Sequence, residues 1–466
     1  MDIRLDVHNA HLTAPAAFPL HDPHLRRLRD QPLVHRSGLL DRLPRDQPGI
    51  YTIGGGRQIG KTTLLKQWMV ELLDSGVDPG RIRFLTGELI DDHPTLSRLL
   101  GELLAQIPAG PLNYVLLDEV TYIRDWDRAV KYVADAGLLE RTVLVLTGSD
   151  LLVIQEARMR LPGRRGESDV VDFHLHPLSF GEALRLKRAL PAEVLDALER
   201  DGEVPSAPAE QVLHAEFGAY MCHGGFLTAM NDMARYGRVL PATLSIYSDW
   251  IRGDMLKRGK QEPYLREVIT AIIRRYGTQL TWNALARELS IDHPATVADY
   301  VALLASMDAV LVQPALLEHK LTAAPKKARK ISFKDPFIYH ALNAWLHAVG
   351  DPYAEQIMPL CQEPDRLAPL VEACAAAHYS RRYPTYYIKG QGEVDIAYVA
   401  GGRFWPVEVK WTQQLRPKAM KQIARYDNGR ILAASPSPGE ISGVRSEYLP
   451  LALLRLESGD LPFSSS

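Results

Sequence analysis

Residues 49–180 alternate two patterns. Short apolar runs stand at Gly49–Ile53, Ile82–Thr86, Asn113–Leu117 and Thr142–Leu146, and the segments between them carry apolar residues at helical spacing. Strands alternating with helices are the βαβ rhythm of a parallel sheet covered on both faces, so the expected class is α/β. Ahead of this region, residues 1–48 are rich in His, Pro, Arg and Asp and read as an irregular arm with one short helix near Pro23–Arg29. A stretch rich in Pro, Ala, Glu and Asp at Pro191–Pro208 reads as a loop or insertion. Residues 210–335 are largely helical in pattern. The last part, about 336–460, opens with helices and turns to strand-like runs at Tyr386–Lys389, Val394–Val399 and Phe404–Val409. At roughly 150 residues per domain, three domains are expected, over 1–210, 211–335 and 336–466.

Composition narrows the class more than the function. Of the 466 residues, 46% are apolar and 24% charged, as in ordinary soluble globular protein. The net charge of −2 carries no polyanion signature, so any nucleic-acid contact has to come from local basic patches. Cys222, Cys361 and Cys374 form no C-x-x-C pair and indicate neither a zinc site nor a disulfide framework. The start, Met1-Asp2-Ile3-Arg4, lacks a basic segment followed by an apolar core, and no apolar run approaches the ~20 residues that span a bilayer. The expectation is a cytoplasmic protein with no membrane partner.

Candidate chemistry begins at Gly55-Gly56-Arg57-Gln58-Ile59-Gly60-Lys61-Thr62, a G-x-x-x-x-G-K-T octet followed by Thr63. It leaves an apolar run and enters a helical pattern, the context of a phosphate-binding loop. Backbone N–H groups and the helix N-terminus would face ATP phosphates; Lys61 would reach the β- and γ-phosphates, and Thr62 would put its hydroxyl on Mg²⁺. Tyr114–Leu117 then runs into Asp118-Glu119. Asp118 at a strand tip suits Mg²⁺ held through water, and Glu119 suits a base for the water that attacks the γ-phosphate. The next run ends in Thr147-Gly148-Ser149, where either Thr147 or Ser149 can place a hydroxyl near the γ-phosphate. In the basic stretch Arg158–Arg165, Arg164 is the first candidate for an arginine finger acting on a neighbouring subunit.

These segments, with His176-Pro177-Leu178-Ser179-Phe180-Gly181-Glu182 after them, resemble the AAA-type ATPases of bacteria and archaea that carry an appended C-terminal domain of unknown function. Gly224-Gly225-Phe226 resembles that family's Gly-Gly-aromatic-Pro turn, although Leu227 replaces the proline. Ile331-Ser332-Phe333-Lys334-Asp335-Pro336 resembles its strand followed by Asp-Pro. The resemblance covers nearly the whole chain beyond about residue 35. It implies a P-loop AAA-type ATPase domain with ATP and Mg²⁺ as cofactors; Arg164 acting in trans would imply a homo-oligomer, with a hexameric ring as one form.

Two further segments point toward nucleic acid. Helical patterns at Leu265–Ile273, Leu280–Leu289 and Pro294–Leu304, then Val310-Leu311-Val312, have the order of a winged helix. Its third helix carries no Arg or Lys, so phosphate contacts fall to His319, Lys320, Lys326, Lys327, Arg329 and Lys330. Toward the C-terminus, Glu372 lies in a helical pattern, Asp395 opens one strand-like run, and Glu408-Val409-Lys410 closes the next. Alternate strand residues share a face, so Glu408 and Lys410 point together and a hairpin can bring Asp395 beside Glu408. Two carboxylates suit Mg²⁺, and the lysine suits a role in activating water. This set resembles the Asp…Glu-x-Lys core of the restriction-endonuclease-like superfamily. Arg381, Arg382, Lys389, Arg416, Lys418 and Lys421 stand near it in sequence as phosphate contacts. The expected function is a Mg²⁺-dependent ATPase that binds and remodels or translocates DNA, branched or single-stranded forms included, with cleavage by the last domain as an added activity. The alternative is an ATP-driven protein-remodelling or signalling switch, with the winged helix as a protein-contact module and an inactive last domain.

Overall fold

Residues 7–108, 110–201, 206–412, 420–435 and 439–458 are described by the structure, a computed structural model. The chain divides into two compact units. The first comprises Met1–His176 with Ser306–Asp308, and the second Pro177–Ala305 with Ala309–Ser466.

In the first unit, β1 (Gly49–Gly54), β2 (Ile82–Thr86), β3 (Asn113–Asp118), β4 (Thr142–Gly148) and β5 (Asp172–His174) form a five-stranded sheet in the order β2-β3-β4-β1-β5. Every pairing in it is parallel. Alternate side chains feed two cores. Val115, Leu117, Leu144 and Leu146 pack with Leu96 and Leu100 from helix His93–Ala105 and with Val130 and Val133 from helix Trp126–Asp135. Tyr114, Leu116, Val143 and Val145 pack on the opposite face with Leu64, Trp68 and Leu72 from helix Lys61–Asp74. Burial on both faces is why these strands read as unbroken apolar runs. Strand β5 is short and polar, with Asp172 and His174 flanking Phe173, and has no such signal.

The N-terminal arm is built into this core. Phe18, Leu25 and Leu40 join the second cluster. Asn9 both donates to the Phe84 carbonyl and accepts from the Phe84 N–H, at 2.8 Å each, and His11 Nε2 lies 3.0 Å from the Ile82 carbonyl. The arm thus covers the outer side of β2, an edge strand that would otherwise present unpaired backbone groups. Lys66 and Asp22 pair at 3.2 Å with both side chains fully buried, and Lys66 Nζ also donates to the His8 carbonyl. Burial, opposed by Asp22, lowers the Lys66 pKa to about 8.

In the second unit, the expected loop at Pro191–Pro208 is corrected over its first half: Ala192–Asp201 is a helix. Pro191 precedes it, where a missing N–H costs nothing, and Ala, Glu, Leu and Arg are strong helix formers. Helices Glu262–Arg274, Trp282–Glu288 and Pro294–Ser306 lead into β6 (Val310–Pro314), which pairs antiparallel with β9 (Arg329–Phe333); between them lies the two-stranded pair β7 (Leu316–Leu317) and β8 (Thr322–Ala323). Asp335 then ties two distant motifs together. Its carboxylate accepts from Phe337 N at 2.8 Å, capping helix Pro336–Leu346, and from Gly225 N at 2.9 Å. A Cβ on Gly225 would lie 1.9 Å from the Leu178 carbonyl oxygen, which explains the glycine.

The C-terminal sheet has six strands in the order β10-β11-β12-β13-β15-β14. They are β10 (Thr385–Lys389), β11 (Glu393–Ala400), β12 (Arg403–Lys410), β13 (Arg430–Ala433), β14 (Gly439–Ile441) and β15 (Val444–Tyr448). β10, β11 and β12 are antiparallel neighbours, while β12-β13-β15 run parallel.

Candidate functional site

The phosphate-loop segment leaves β1 at Gly54 and enters the helix at Lys61. Gln58 and Gly60 have φ values of 57° and 99°, the left-handed backbone that curls the loop back on itself. Lys61 Nζ donates to the carbonyls of Gly55 and Gly56 at 3.1 and 2.8 Å and lies 3.3 Å from Glu119 Oε1. Thr62 Oγ1 donates to Asp118 Oδ2 at 2.6 Å. Arg57 lies over the Tyr122 ring and donates to its hydroxyl.

Asp118, at the tip of β3, is 4% exposed. Thr147 Oγ1 donates to its second oxygen at 2.5 Å and accepts from Glu119 N at 2.9 Å. Burial raises the Asp118 pKa, against the two threonine hydrogen bonds. Glu119 adopts a left-handed conformation (φ 53°), and its Oε2 accepts from Ser149 N at 3.0 Å. Thr147 touches both acids, whereas Ser149 meets Glu119 through its backbone. Thr62 and Asp118 are hard oxygen donors of the kind that suits Mg²⁺ with retained waters. Arg164 is paired with Asp135 at 2.5 Å and donates to the Pro162 carbonyl. Arg158, Arg160 and Arg165 are likewise paired, with Asp172, Asp127 and Asp172.

A second cluster forms at the C-terminal sheet. The β11–β12 register sets Ile396 opposite Val407, which brings Asp395 beside Glu408. Val409 N donates to Asp395 Oδ2 at 2.9 Å, and Lys410 Nζ lies 2.6 Å from Glu408 Oε1 and 3.7 Å from Asp395 Oδ2. Glu372 arrives from helix Pro364–Ser380. It meets Lys330 Nζ at 2.7 Å, and the same ammonium pairs with Glu393 and sits 3.5 Å from Asp395. Burial and the Asp395 charge push Glu372 up to about 7 and Glu408 up to about 8. Among the described residues, one carboxylate oxygen each from Glu372, Glu393 and Asp395 lies within 4.8 Å of the other two, an oxygen-only set of the kind that suits a divalent cation.

Two expected phosphate contacts are corrected here. Lys330 is 3% exposed and lies inside the acidic cluster, because three carboxylates from other elements outweigh the cost of burying its ammonium. Arg381 is mostly enclosed and faces Glu182 at 4.0 Å. Arg329 is half-buried over the Trp282 ring at 4.3 Å. His319, Lys320, Lys326, Lys327, Arg382, Lys389 and Lys421 are exposed. Arg416 and Lys418 lie outside the described residues.

An AAA domain family matches residues 47–184, the span of all five strands of the first sheet and both acids at the phosphate loop. The chain carries an AAA-type P-loop ATPase domain. A domain of unknown function (DUF8612) matches residues 214–347, downstream of the ATPase domain. An uncharacterized protein of Haemophilus influenzae is 27% identical over 188 residues, covering 37% of this chain and 44% of the relative. The chain thus spans less than half the length of that curated relative. Among solved structures, the Walker-type ATPase PABY2304 of Pyrococcus abyssi matches at 14% identity with a TM-score of 0.40, over 65% of this chain and 93% of that one. The Aeropyrum pernix ORC1 protein in complex with DNA matches at 13% identity with a TM-score of 0.32, over 72% and 95%. Cdc6p of Pyrobaculum aerophilum matches at 12% identity with a TM-score of 0.24, over 74% and 95%. The parallel β2-β3-β4-β1-β5 sheet and the family match, rather than these neighbours, define the fold of residues 47–184. Among the described residues, no helix is long and apolar enough to cross a membrane.

Two contributors to the clusters escaped sequence reasoning. Glu393, two residues before Asp395 on the same strand, shares its face, and that period-2 spacing is the signal that marks it. Lys330 carries no local signal, since its partners come from helix Pro364–Ser380 and strand β11.

Proposed function

We propose that the protein couples Mg²⁺-dependent ATP hydrolysis to work on DNA, with a nuclease-like centre in its C-terminal sheet. In the ATPase domain, Gly55–Thr63 hold the phosphates, Lys61 neutralises the β- and γ-phosphates, and Thr62 and Asp118 hold Mg²⁺. Glu119 takes the proton from the attacking water, kept in place by Thr147 below its backbone N–H and by Ser149 N at its carboxylate. Mg²⁺ supplies charge neutralisation of the phosphoryl group when bound. Arg164 serves as a finger in trans only after leaving Asp135, a water-exposed and weak pairing.

The observation that carries the DNA reading is the convergence of Asp395, Glu408 and Lys410 from two strands with Glu372 from a helix. A purely structural hairpin does not need Asp395 and Glu408 buried side by side. Asp395 and Glu408 are the ligands for a divalent cation, and Lys410 orients the attacking water. The winged-helix order at 262–333 adds exposed basic residues at His319, Lys320, Lys326 and Lys327 for phosphate contact. The second reading, a protein-remodelling switch, draws support from the withdrawal of Lys330 and Arg381 from the basic surface.

The deciding experiment presents the full chain with duplex, single-stranded, forked and four-way-junction DNA, and follows binding, ATPase stimulation and cleavage with and without Mg²⁺. Lys61→Ala abolishes turnover, and Glu119→Gln retains ATP without hydrolysing it. Asp395→Ala or Lys410→Ala removes cutting and leaves the ATPase intact. A chain that neither binds nor responds to any of these DNAs leaves the switch reading standing.

A further inference from the structure

Strand β5 ends in His174, and the chain continues through Leu175 to His176. The two imidazole rings lie 3.6 Å apart between centroids, and His174 Nε2 is 2.7 Å from Asp308 Oδ2. One donor atom from each of the three side chains falls within 4.8 Å of the other two. Zinc bonds of about 2.0–2.1 Å place tetrahedral ligand atoms roughly 3.4 Å apart, so small side-chain rotations close the set. The Asp308 side chain is 3% exposed and the His174 side chain 24%, so the carboxylate is enclosed while an imidazole keeps contact with solvent. Asp308 itself holds a left-handed backbone (φ 64°), an unfavourable conformation for a residue with a side chain.

We propose that His174, His176 and Asp308 form a binding site for one divalent transition-metal ion, with Zn²⁺ as the best-matched ion. Two imidazoles and one carboxylate are borderline-soft donors, unlike the all-oxygen sets at Asp118 and Asp395, and three protein ligands leave a coordination position for water. The position gives the ion a structural consequence. Leu175 N donates to the Gly54 carbonyl at 2.9 Å, and a Cβ on Gly55 would lie 2.5 Å from the Leu175 carbonyl oxygen. The segment bearing both histidines is therefore clamped to the root of the phosphate loop. Ser306–Asp308 is the one stretch between residues 177 and 466 that belongs to the ATPase unit, and its Ser306 carbonyl accepts from Leu151 N at 2.9 Å. A bound ion cross-links that stretch to the phosphate-loop root.

The test uses full-length protein stripped of metal by chelation. Zn²⁺ binding is measured by calorimetry, and Co²⁺ is added as a probe whose visible absorption reports nitrogen–oxygen coordination. One ion per chain is expected, not displaced by excess Mg²⁺. His176→Gln and His174→Gln each weaken binding by about a hundredfold or more, the range that even outer-shell changes reach. Nucleotide binding by these variants confirms that they fold. Stoichiometric binding that survives both histidine substitutions places the ion elsewhere and overturns the assignment, as does failure of the folded wild-type chain to bind Zn²⁺ or Co²⁺.

Discussion

Thr147 shows how much one hydroxyl can hold. It donates to Asp118 and accepts from Glu119 N, so Thr147→Val, nearly equal in volume, leaves a buried carboxylate and a backbone N–H short of a partner. Losing a hydrogen bond to a charged group costs about 1.5–3 kcal/mol. The expected result is a fall in kcat on the order of tenfold or more with nucleotide affinity little changed; an unaltered kcat would remove Thr147 from the mechanism. Lys330 poses the opposite case. Lys330→Met removes an ammonium from among Glu372, Glu393 and Asp395, and stripping one partner from a buried ion pair costs about 3–5 kcal/mol. A marked drop in melting temperature is expected, partly restored by added Mg²⁺. An unchanged melting temperature would show that the acids are solvated or protonated instead. His340, buried against the Met221 carbonyl at 2.8 Å, is lowered by burial to about 4 from its ordinary 6.5. It stays neutral in the fold while the unfolded chain takes up a proton, so its contribution is full above about 6.5 and is lost as pH falls toward 4. Asp335, raised by burial to about 6, acts with the opposite sign, so the comparison is made between chains. His340→Gln, which keeps a donor, should lose less stability than wild type between about pH 7 and pH 4.5 in urea titrations; equal losses would contradict the burial argument.

Among the elements, the N-terminal arm departs furthest from its reading as an irregular segment. It does carry the expected helix at Pro23–Arg29, capped by Asp22. Its larger role is to seat Phe18 and Leu40, both 0% exposed, against helix Lys61–Asp74 and to shield β2. Phe18→Ala should cost about 3–5 kcal/mol, read from chemical denaturation. A loss below about 1 kcal/mol would mean the arm is dispensable to the core. Strands β1–β4 and β10–β12 were legible because each is an apolar run long enough to stand out. Strands β5, β13, β14 and β15 were not: polar residues interrupt β5, β14 and β15, and β13 has only four residues. Their burial depends on neighbours far away in sequence. Helix Ala192–Asp201 was missed because proline and acidic residues resemble loop composition, although the first lies outside the helix and the second suits it.

For the molecule as a whole, the AAA-domain match covers residues 47–184, and ATP turnover by the full chain, its assembly and its DNA partner are proposals. If Arg164 acts in trans, ATPase activity per chain should fall on dilution as the mass drops to a monomer, and Asp135→Ala should not lower it. Activity constant across dilution by a monomeric species would count against a ring. DNA binding through exposed lysines should weaken with added salt, since each neutralised phosphate releases counterions.

The sequence by itself determined the parallel sheet, the phosphate loop and the paired acids at a strand tip. All of these are set by local spacing: a short apolar run, a glycine turn, a helix start, and period-2 alternation that puts Glu408 and Lys410 on one face. Only the tertiary structure decided which charges neutralise one another. Lys330 joins Glu372, Glu393 and Asp395, Thr147 rather than Ser149 brings its hydroxyl to Asp118, and Asp308 meets two histidines more than a hundred residues earlier. The physical reason is that backbone pattern follows neighbours along the chain, whereas a buried charge is stable only beside a partner that folding brings to it.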